Sequence, residues 1–343
     1  MVKIEDLREE VRRLLDEEKV KYVVAWRRGP DSVTAAPFFA RKPEDAESVI
    51  WDPTCVHNLV RFVRDDKRRR GREKDPDTRP VAIVVKGCDS RAVNVLLQEK
   101  FIEREDVYLI GVSCEKAGVA DKGKAAAKFK GKRIESIDKE GDDAFAVMAA
   151  GKRSIVPAAE LLADRCLECQ ANFPVIHDIL FGDEKKRRPG SLYGTVEAME
   201  KLSSRERQAF WTEQVERCIR CYACRSVCPM CFCDECVVDT INFAITAATG
   251  AEEKADRIKW IEKSPVASES FGYHLLRAIH LAGRCIDCGE CQRVCPLDIP
   301  VRLLNKKLEK AAKELFDYDV GFDADGPSLV SSFRDDDPGD FIR

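Results

Sequence analysis

Residues 218–229 read CIRCYACRSVCP, and residues 285–296 read CIDCGECQRVCP. Both stretches have the cysteine spacing C-x2-C-x2-C-x3-C, followed directly by proline. A single C-x2-C pair is a weak signal, because zinc ribbons contain it as well. Two complete runs that each end in Cys-Pro are much more specific, and they predict that the C-terminal half of the chain folds around bound metal.

Thiolates at this spacing bind [4Fe-4S] clusters: three closely spaced cysteines hold one cluster, and the cysteine before proline reaches across to the other. The predicted ligands of cluster 1 are Cys218, Cys221, Cys224 and Cys295. The predicted ligands of cluster 2 are Cys285, Cys288, Cys291 and Cys228. The long interval between the two runs favours an all-helical dicluster domain over a compact ferredoxin. Zinc binding is the alternative, and electron transfer is the expected function.

Composition limits the class of protein further. The chain has 343 residues, enough for two domains, with 44% apolar and 35% charged residues. Its net charge of -3 argues against nucleic-acid binding, and we expect the basic run 67–72 to be a solvated loop. The sequence has neither a secretory signal nor an apolar stretch of about 18 residues, so we expect a cytoplasmic protein without membrane insertion. Its 16 cysteines are then reduced thiolates rather than disulfides.

The N-terminal half alternates helical and strand patterns. Ile4–Asp16 has the apolar spacing of an amphipathic helix. Pro80–Val85 and Val107–Val112 are apolar strand candidates, and Ser90–Lys100 between them has a helical pattern. A strand, a helix and a second strand in this order favour two parallel neighbours in an α/β layer. The predicted fold class is an α/β N-terminal domain followed by an all-α dicluster ferredoxin domain.

Charged and glycine-containing segments divide the chain. A charged break at 184–190 separates a predicted α/β domain, residues 1–190, from a helical ferredoxin domain, residues 191–316. Residues 317–343 form an acidic tail, which we expect to be disordered or to lie along a partner. The Gly/Ala/Lys stretch 122–132 is expected to be an exposed loop.

The α/β half carries four further cysteines that fall at the ends of predicted elements: Cys88, Cys114, Cys166 and Cys169. Because ligands of α/β folds bind where neighbouring parallel strands end, these cysteines predict a third cluster. The alternative is a set of buried cysteines that act as small apolar residues. The remaining cysteines form a possible fourth site, with packing around the dicluster domain as its alternative; they are Cys55, Cys231, Cys233 and Cys236.

Three motifs of this half resemble the beta subunits of coenzyme F420-reducing hydrogenases and dehydrogenases over about residues 80–183. They are VVKGCDSRA at 84–92, IGVSC at 110–114, and Cys166-x-x-Cys169 followed by Pro174 and Asp178. The resemblance implies a [4Fe-4S] cluster beside FAD, and a subunit that passes electrons between a hydride carrier and a catalytic partner. Because the sequence has no G-x-G-x-x-G fingerprint, FAD rests on the resemblance alone. The segment HLAGRC at 280–285 is similar to ferredoxin parts of anaerobic hydrogenase, sulfite-reductase and heterodisulfide-reductase-type subunits.

Two functions follow from these patterns. The first is an iron-sulfur electron-transfer subunit of a cytoplasmic anaerobic oxidoreductase complex of hydrogenase, formate dehydrogenase or heterodisulfide-reductase-like type. Its substrate site would then lie on another subunit, and no residue of this chain is predicted to be catalytic. The second is a flavin-dependent reductase that converts a two-electron hydride donor to one-electron transfer through its clusters.

Overall fold

The computed structural model describes residues 2–31, 33–114, 118–141, 143–169, 171–184, 191–233, 236, 238, 250 and 265–332. They fall into two compact units. The α/β unit contains the described parts of Met1–Leu192, Ile286–Cys288 and Asp319–Arg334. The helical unit contains those of Tyr193–Cys285 and Gly289–Tyr318. A mixed α/β region followed by a helical region confirms the predicted fold class.

The α/β unit has eight described strands and six described α-helices. The strands are β1 (Tyr22–Arg28), β2 (Ala35–Ala40), β3 (Val81–Val85), β4 (Val107–Val112), β5 (Ile134–Glu140), β6 (Ala144–Ala149), β7 (Lys152–Pro157) and β8 (Ile179–Phe181). The helices are α1 (Ile4–Asp16), α2 (Val60–Arg70), α3 (Gly87–Gln98), α4 (Lys122–Lys128), α5 (Ala158–Leu161) and α6 (Asp164–Leu167). Short 3-10 helices cover Pro43–Ser48 and Arg104–Asp106.

The larger sheet has the order β2-β1-β3-β4-β8, in which only β2 is antiparallel to its neighbour. All five residues of β3 are buried and apolar, as expected for a central parallel strand that is covered on both faces. The parallel pairing of β3 with β4 confirms the predicted strand-helix-strand unit. The carboxyl ends of these two strands therefore meet at one edge of the sheet.

A second sheet, the antiparallel meander β5-β6-β7, was not predicted from the sequence. Its core contains Phe145, Val147 and Leu161, and Ala125 of α4 is part of the same apolar cluster. The expectation of an exposed loop at 122–132 was wrong over Lys122–Lys128. Asp121 caps this helix by accepting a hydrogen bond from the backbone N–H of Lys124, and burial of Ala125 stabilises it.

The prediction of a solvated loop at 67–72 was also wrong, because Lys67 to Arg70 belong to α2. Lys67 and Arg70 contact Asp106 at 2.8 and 2.7 Å, and Arg70 also contacts the buried Asp66 at 3.0 Å. Acidic partners within the α/β unit thus compensate these positive charges. This pairing explains how a basic run forms a structured helix.

The described part of the acidic tail differs from its prediction, because residues 319–332 pack within the α/β unit. Arg91 of α3 donates a hydrogen bond to the carbonyl oxygen of Val320 at 2.9 Å and lies 4.6 Å from the ring of Phe322. Asn94, one turn further along α3, donates to the carbonyl oxygen of Gly321 at 3.0 Å. We call residues 319–332 the strap.

The helical unit has six described α-helices. They are α7 (Gly194–Glu200), α8 (Ser204–Glu216), α9 (Ala223–Ser226), α10 (Ala267–His280), α11 (Glu290–Arg293) and α12 (Val301–Phe316). Ser203 caps α8 in a capping box with Glu206. No helix among the described residues of either unit is long and apolar enough to cross a membrane.

Candidate iron-sulfur centres

The four cysteines of the α/β unit lie where its central strands end. Cys88 is the second residue of α3, three residues after β3, and Cys114 comes two residues after β4. Cys166 lies in α6, and Cys169 follows that helix by two residues. Since β3 and β4 are parallel neighbours, Cys88 and Cys114 are brought to the same edge of the sheet.

Hydrogen bonds and one close backbone approach hold residues 171–175 against this edge. The N–H of Cys114 donates to the carbonyl oxygen of Asn172 at 2.8 Å, and the N–H of Val175 donates to the Ser90 hydroxyl at 2.9 Å. At Gly87, an added Cβ would lie 2.3 Å from the carbonyl oxygen of Ala171. Only glycine allows this close approach, which places the segment after Cys169 beside Cys88.

The pKa values reflect how close these thiols are to each other. Burial raises the pKa of Cys114 to about 12, and the Cys166 and Cys169 thiols add to the increase. Burial also raises the pKa of Cys88 well above its usual value, with contributions from Asp89 and Cys114. The Cys88 and Cys114 thiols therefore resist ionisation in the absence of a cation. Metal binding would relieve this cost, because it replaces the protons with positive charge.

Buried basic groups surround the Cys88 set. Lys86 is 1% exposed, and its Nζ lies 2.9 Å from Asp89 and 4.1 Å from the Trp26 ring centroid. Burial opposes its charge, but Asp89 and Cys88 raise the pKa of Lys86 above its usual value. Arg165 is also buried and donates to the carbonyl oxygens of Val56 and Cys288. The donor set and these cations suit an anionic cluster held by thiolates.

The two cysteine runs repeat one local backbone structure. Arg220 and Tyr222 of the first run have φ values of 53° and 59°, and their counterparts Asp287 and Gly289 have 54° and 67°. Each run continues into a four-residue helix, α9 in the first and α11 in the second. The identical spacing thus produces the same sequence of left-handed turns and a short helix, so that the cysteines of each run adopt matching positions.

Cysteines from both runs come together in the helical unit. Burial raises the pKa of Cys218, and the thiols of Cys224 and Cys295 contribute to this shift. Cys295 belongs to the second run, so its proximity to the first run is the arrangement that cross-ligation needs. Burial opposes the charge of Arg277, but Cys224, Cys228, Cys231 and Cys291 hold its pKa well above the usual value. The ligand assignment itself stays a prediction.

Helix α10 lines this site with polar groups that sequence reasoning did not single out as sulfur contacts. The Tyr273 hydroxyl lies 3.4 Å from Cys224 Sγ, and His274 Nε2 lies 3.3 Å from Cys218 Sγ. Arg277 donates to the carbonyl oxygen of Cys224 at 3.0 Å. Burial, followed by Arg277 and Arg220, lowers the pKa of His274 to about 4.

The structure places the remaining cysteines as follows. Cys55 is fully buried, and its thiol donates to the carbonyl oxygen of Ile50 at 3.8 Å. A hydrogen bond with Cys228, together with burial, raises the pKa of Cys231 well above its usual value. Cys233 is exposed and Cys236 is half-buried. Among the described residues, no three Cys, His, Asp or Glu side chains are grouped closely enough to hold one metal ion. The fourth site stays a prediction.

Family models match both halves of the chain. Residues 78–208 match the C-terminal domain of the coenzyme F420 hydrogenase/dehydrogenase beta subunit, and residues 214–299 match a 4Fe-4S dicluster domain. The chain thus joins a domain that matches the F420 hydrogenase/dehydrogenase beta-subunit family to a 4Fe-4S dicluster domain. The matches confirm the resemblance that the Cys88, Cys114 and Cys166 motifs indicated, and they support iron-sulfur clusters as cofactors.

Two relatives align with almost the whole chain. The F420-dependent formate dehydrogenase subunit beta of Methanocaldococcus jannaschii is 23% identical over 382 residues, covering 94% of this chain and 92% of the relative. The F420-dependent formate dehydrogenase 1 subunit beta of Methanococcus maripaludis is 26% identical over 384 residues, with coverages of 92% and 90%. A chain of the xenon-derivatised F420-reducing [NiFe] hydrogenase complex from Methanosarcina barkeri aligns with a TM-score of 0.36 and 16% identity, over 48% of this chain and 58% of that chain.

Proposed function

We propose that this chain is the electron-transfer subunit of an F420-dependent formate dehydrogenase complex and relays electrons through three [4Fe-4S] clusters. The observation that carries the proposal is the second cysteine set: Cys88, Cys114, Cys166 and Cys169 converge in the α/β unit, outside the dicluster domain. The two relatives that span this chain are named as beta subunits of such enzymes. The site that oxidises formate would lie on a different subunit.

The residues of this chain would bind the clusters and keep water away from them. Twelve cysteines supply the ligands, in the three sets predicted from the sequence. Lys86 and Arg165 compensate the negative charge of the Cys88 cluster, and Arg277 does so beside Cys224 and Cys291. When bound, the clusters accept and donate single electrons, at potentials set by charge, hydrogen bonds and exposure.

Iron, zinc and flavin content after strictly anaerobic purification test the proposal. Three clusters correspond to about 12 irons per chain, and a fourth site would bring the total to about 16. Replacing Cys88 with serine should remove about four irons, those of the cluster in the α/β unit. Replacing Cys288 with serine should remove about four irons from cluster 2. Cys55→Ser is the matched control and should retain all 12 irons, because its buried thiol contacts a backbone carbonyl. An iron count that Cys288→Ser leaves unchanged would contradict the dicluster assignment.

The second candidate function is conversion of a hydride into two single electrons at an FAD bound by this same chain. Buried polar atoms in the α/β unit favour it, because Trp26 Nε1, Asn58 Nδ2 and Asn172 Oδ1 have no hydrogen-bond partner among the described residues. Such atoms suit a polar ligand, since an unpaired buried donor or acceptor is costly. FAD would supply the step between two-electron and one-electron transfer. One FAD per chain with full iron supports this function, and full iron without flavin rejects it.

An assay of formate oxidation distinguishes both proposed functions from the alternative that this chain oxidises formate without another subunit. The isolated chain, loaded with iron, should reduce dyes when given an electron donor but should not oxidise formate unaided. Activity with formate is expected only after a catalytic subunit is added. Formate oxidation by the purified single chain would overturn the subunit assignment.

A further inference from the structure

We propose that Tyr273 and His274 raise the reduction potential of cluster 1 by donating hydrogen bonds to two of its sulfur ligands. The proposal rests on the ligand assignment given above, in which Cys218 and Cys224 both bind cluster 1. The two donors are adjacent on α10, and each lies beside a different one of these cysteines. They are therefore positioning residues, which act on the cluster through its ligands.

Packing fixes the Tyr273 hydroxyl against Cys224 Sγ. Tyr273 is 1% exposed, so its hydroxyl has no access to bulk water. The Tyr222 ring packs against it edge-on, with centroids 5.3 Å apart, and the His274 ring lies 5.0 Å away on the same helix. Once Cys224 binds iron, its sulfur carries no proton and accepts hydrogen bonds only. The hydroxyl, 3.4 Å from this sulfur, is then the donor.

His274 is arranged in the same way toward Cys218. Its side chain is 4% exposed, and Nε2 lies 3.3 Å from Cys218 Sγ. Its other nitrogen, Nδ1, is buried without a hydrogen-bond partner among the described residues. Once Cys218 binds iron, its sulfur carries no proton and only accepts hydrogen bonds, so a bond between the ring and this sulfur needs a proton on Nε2. The proton therefore lies on Nε2 and is shared with the sulfur.

Hydrogen bonds to ligand sulfur favour the reduced state of a cluster. Reduction adds negative charge to the iron and sulfur atoms, and donors stabilise an acceptor more strongly as its charge grows. Two donors on one cluster make that cluster easier to reduce. Arg277 acts differently, because it donates to the carbonyl oxygen of Cys224, at 3.0 Å, and not to a sulfur atom. Helix α10 thus combines a buried positive charge with two hydrogen bonds that act on cluster 1.

Redox titration of the iron-loaded chain, followed by electron paramagnetic resonance, tests this assignment. Tyr273→Phe removes a single oxygen atom and should lower one midpoint potential while the others stay in place. We expect the equilibrium constant for reduction of that cluster to fall by up to about tenfold, which corresponds to 59 mV for a one-electron couple. Tyr108→Phe is the matched control, because its hydroxyl bonds to Glu10 in the α/β unit and should shift no potential.

A pair of variants at His274 provides an independent test. His274→Leu removes the donor and should lower the same midpoint potential as Tyr273→Phe. His274→Gln retains an N–H donor and should restore part of the loss. Resonance Raman spectra in H2O and D2O should show deuterium-sensitive iron-sulfur bands that weaken in Tyr273→Phe and His274→Leu.

Failure of this proposal is distinguishable from failure of the proposed function. Unchanged potentials in Tyr273→Phe and His274→Leu, with full iron, would overturn the tuning role and leave the ligand assignment intact. Equal shifts of all potentials would overturn it too, because the hydrogen bonds act on one cluster. If Cys224→Ser instead keeps its iron count and spectrum, the ligand assignment is wrong. If Tyr273→Phe does not retain iron, the midpoint potentials of His274→Leu and His274→Gln test the tuning role instead.

Discussion

The two cysteine regions of this molecule are built in opposite ways. The two cysteine runs are local, and residues 218–229 and 285–296 repeat the same turns and short helix. In the α/β unit Cys88, Cys114, Cys166 and Cys169 come from three separate stretches of chain, which β3, β4 and the segment 171–175 bring together. A local site is determined by its own spacing, whereas an assembled site depends on distant backbone contacts.

This difference predicts which substitutions matter in each region. In the helical unit, replacing a cysteine should remove a cluster, and most other changes should have small effects. In the α/β unit, residues that are not ligands should be as critical as the cysteines when they hold the three stretches in place.

Gly87→Ala should abolish the Cys88 cluster. An added Cβ would lie 2.3 Å from the carbonyl oxygen of Ala171 and 2.8 Å from that of Phe173, and backbone atoms cannot move aside cheaply. We expect loss of about four irons and destabilisation by about 3 kcal/mol. Iron analysis and thermal unfolding under anaerobic conditions measure both effects. The dicluster signals should persist.

Gly71→Ala is the matched control for this substitution. The nearest atoms to its added Cβ are helix carbonyl oxygens 3.7 Å away, and its φ is -63°, so alanine fits without strain. Its iron content and melting temperature should match those of the unsubstituted chain. If Gly87→Ala behaves in the same way, the close approach does not hold the site together.

Arg91→Met should release the strap. The Arg91 side chain is 3% exposed and bonds to the carbonyl oxygens of Val320 and Ile286, at 2.9 and 3.4 Å. Its loss leaves both carbonyl groups without this donor, which should cost about 2 kcal/mol. Limited proteolysis should then cleave within residues 319–332, and iron content should be unchanged. Arg79→Met is the control, since Arg79 pairs with the exposed Asp77 and has no described contact with the strap.

Gly321→Ala tests the same contact from the other side. Gly321 has a φ of 70°, and an added Cβ would lie 2.4 Å from the carbonyl oxygen of Arg91. The proteolysis pattern should therefore match that of Arg91→Met. Gly326→Ala should have a weaker effect, because its nearest neighbour is the Asp323 side chain, which can rotate away. A strap that stays protected in both Arg91→Met and Gly321→Ala would contradict its anchoring to α3.

Sequence patterns predicted the elements that carry their own signal. The helix at Ile4–Asp16 and the strand at Val107–Val112 have the predicted bounds, because strong apolar periodicity and a continuous apolar run are local properties. The meander β5-β6-β7 was not predicted. Its first strand, β5, has only one buried residue, Ile137, among charged neighbours, so its sequence lacks the alternation typical of a strand. The packing of the strap was not predicted either. Its apolar residues Val320 and Phe322 lie within an acidic segment, and they contact Arg91 of α3, which is far away in sequence.

The candidate sites show the same limit. Cysteine spacing alone identified the dicluster domain, whose family match confirms it. The contacts of Tyr273 and His274 with sulfur were not predictable, because α10 is far in sequence from Cys218 and Cys224 and only tertiary packing brings them together. The close approach of Gly87 to Ala171 is non-local in the same sense. The pattern therefore identified ligand types, and the fold determines what surrounds them.

Asp178→Asn should weaken the α/β unit moderately and spare its cluster. Asp178 accepts hydrogen bonds from the Leu109 N–H and from Arg104, both at 2.7 Å, and so links the start of β8 to β4. Asparagine keeps one acceptor oxygen but loses the charge, which should cost about 1 kcal/mol in urea unfolding. The iron count should stay complete, because Asp178 contacts none of the four cysteines in these bonds. Loss of the Cys88 cluster in this variant would show that the edge strand, and not only the 171–175 segment, holds the site.

Glu200→Gln should have the smallest effect, and it tests the helical side of the contrast. Glu200 of α7 pairs with Lys307 and Lys310 of α12, which lower its pKa to about 2. The carboxylate is solvent-exposed, and exposed ion pairs contribute little because water and salt screen them. Melting temperature, iron content and cluster potentials should all remain unchanged within error. A clear loss of dicluster iron would mean that long-range contacts support this site too, and the distinction between a local and an assembled centre would fail.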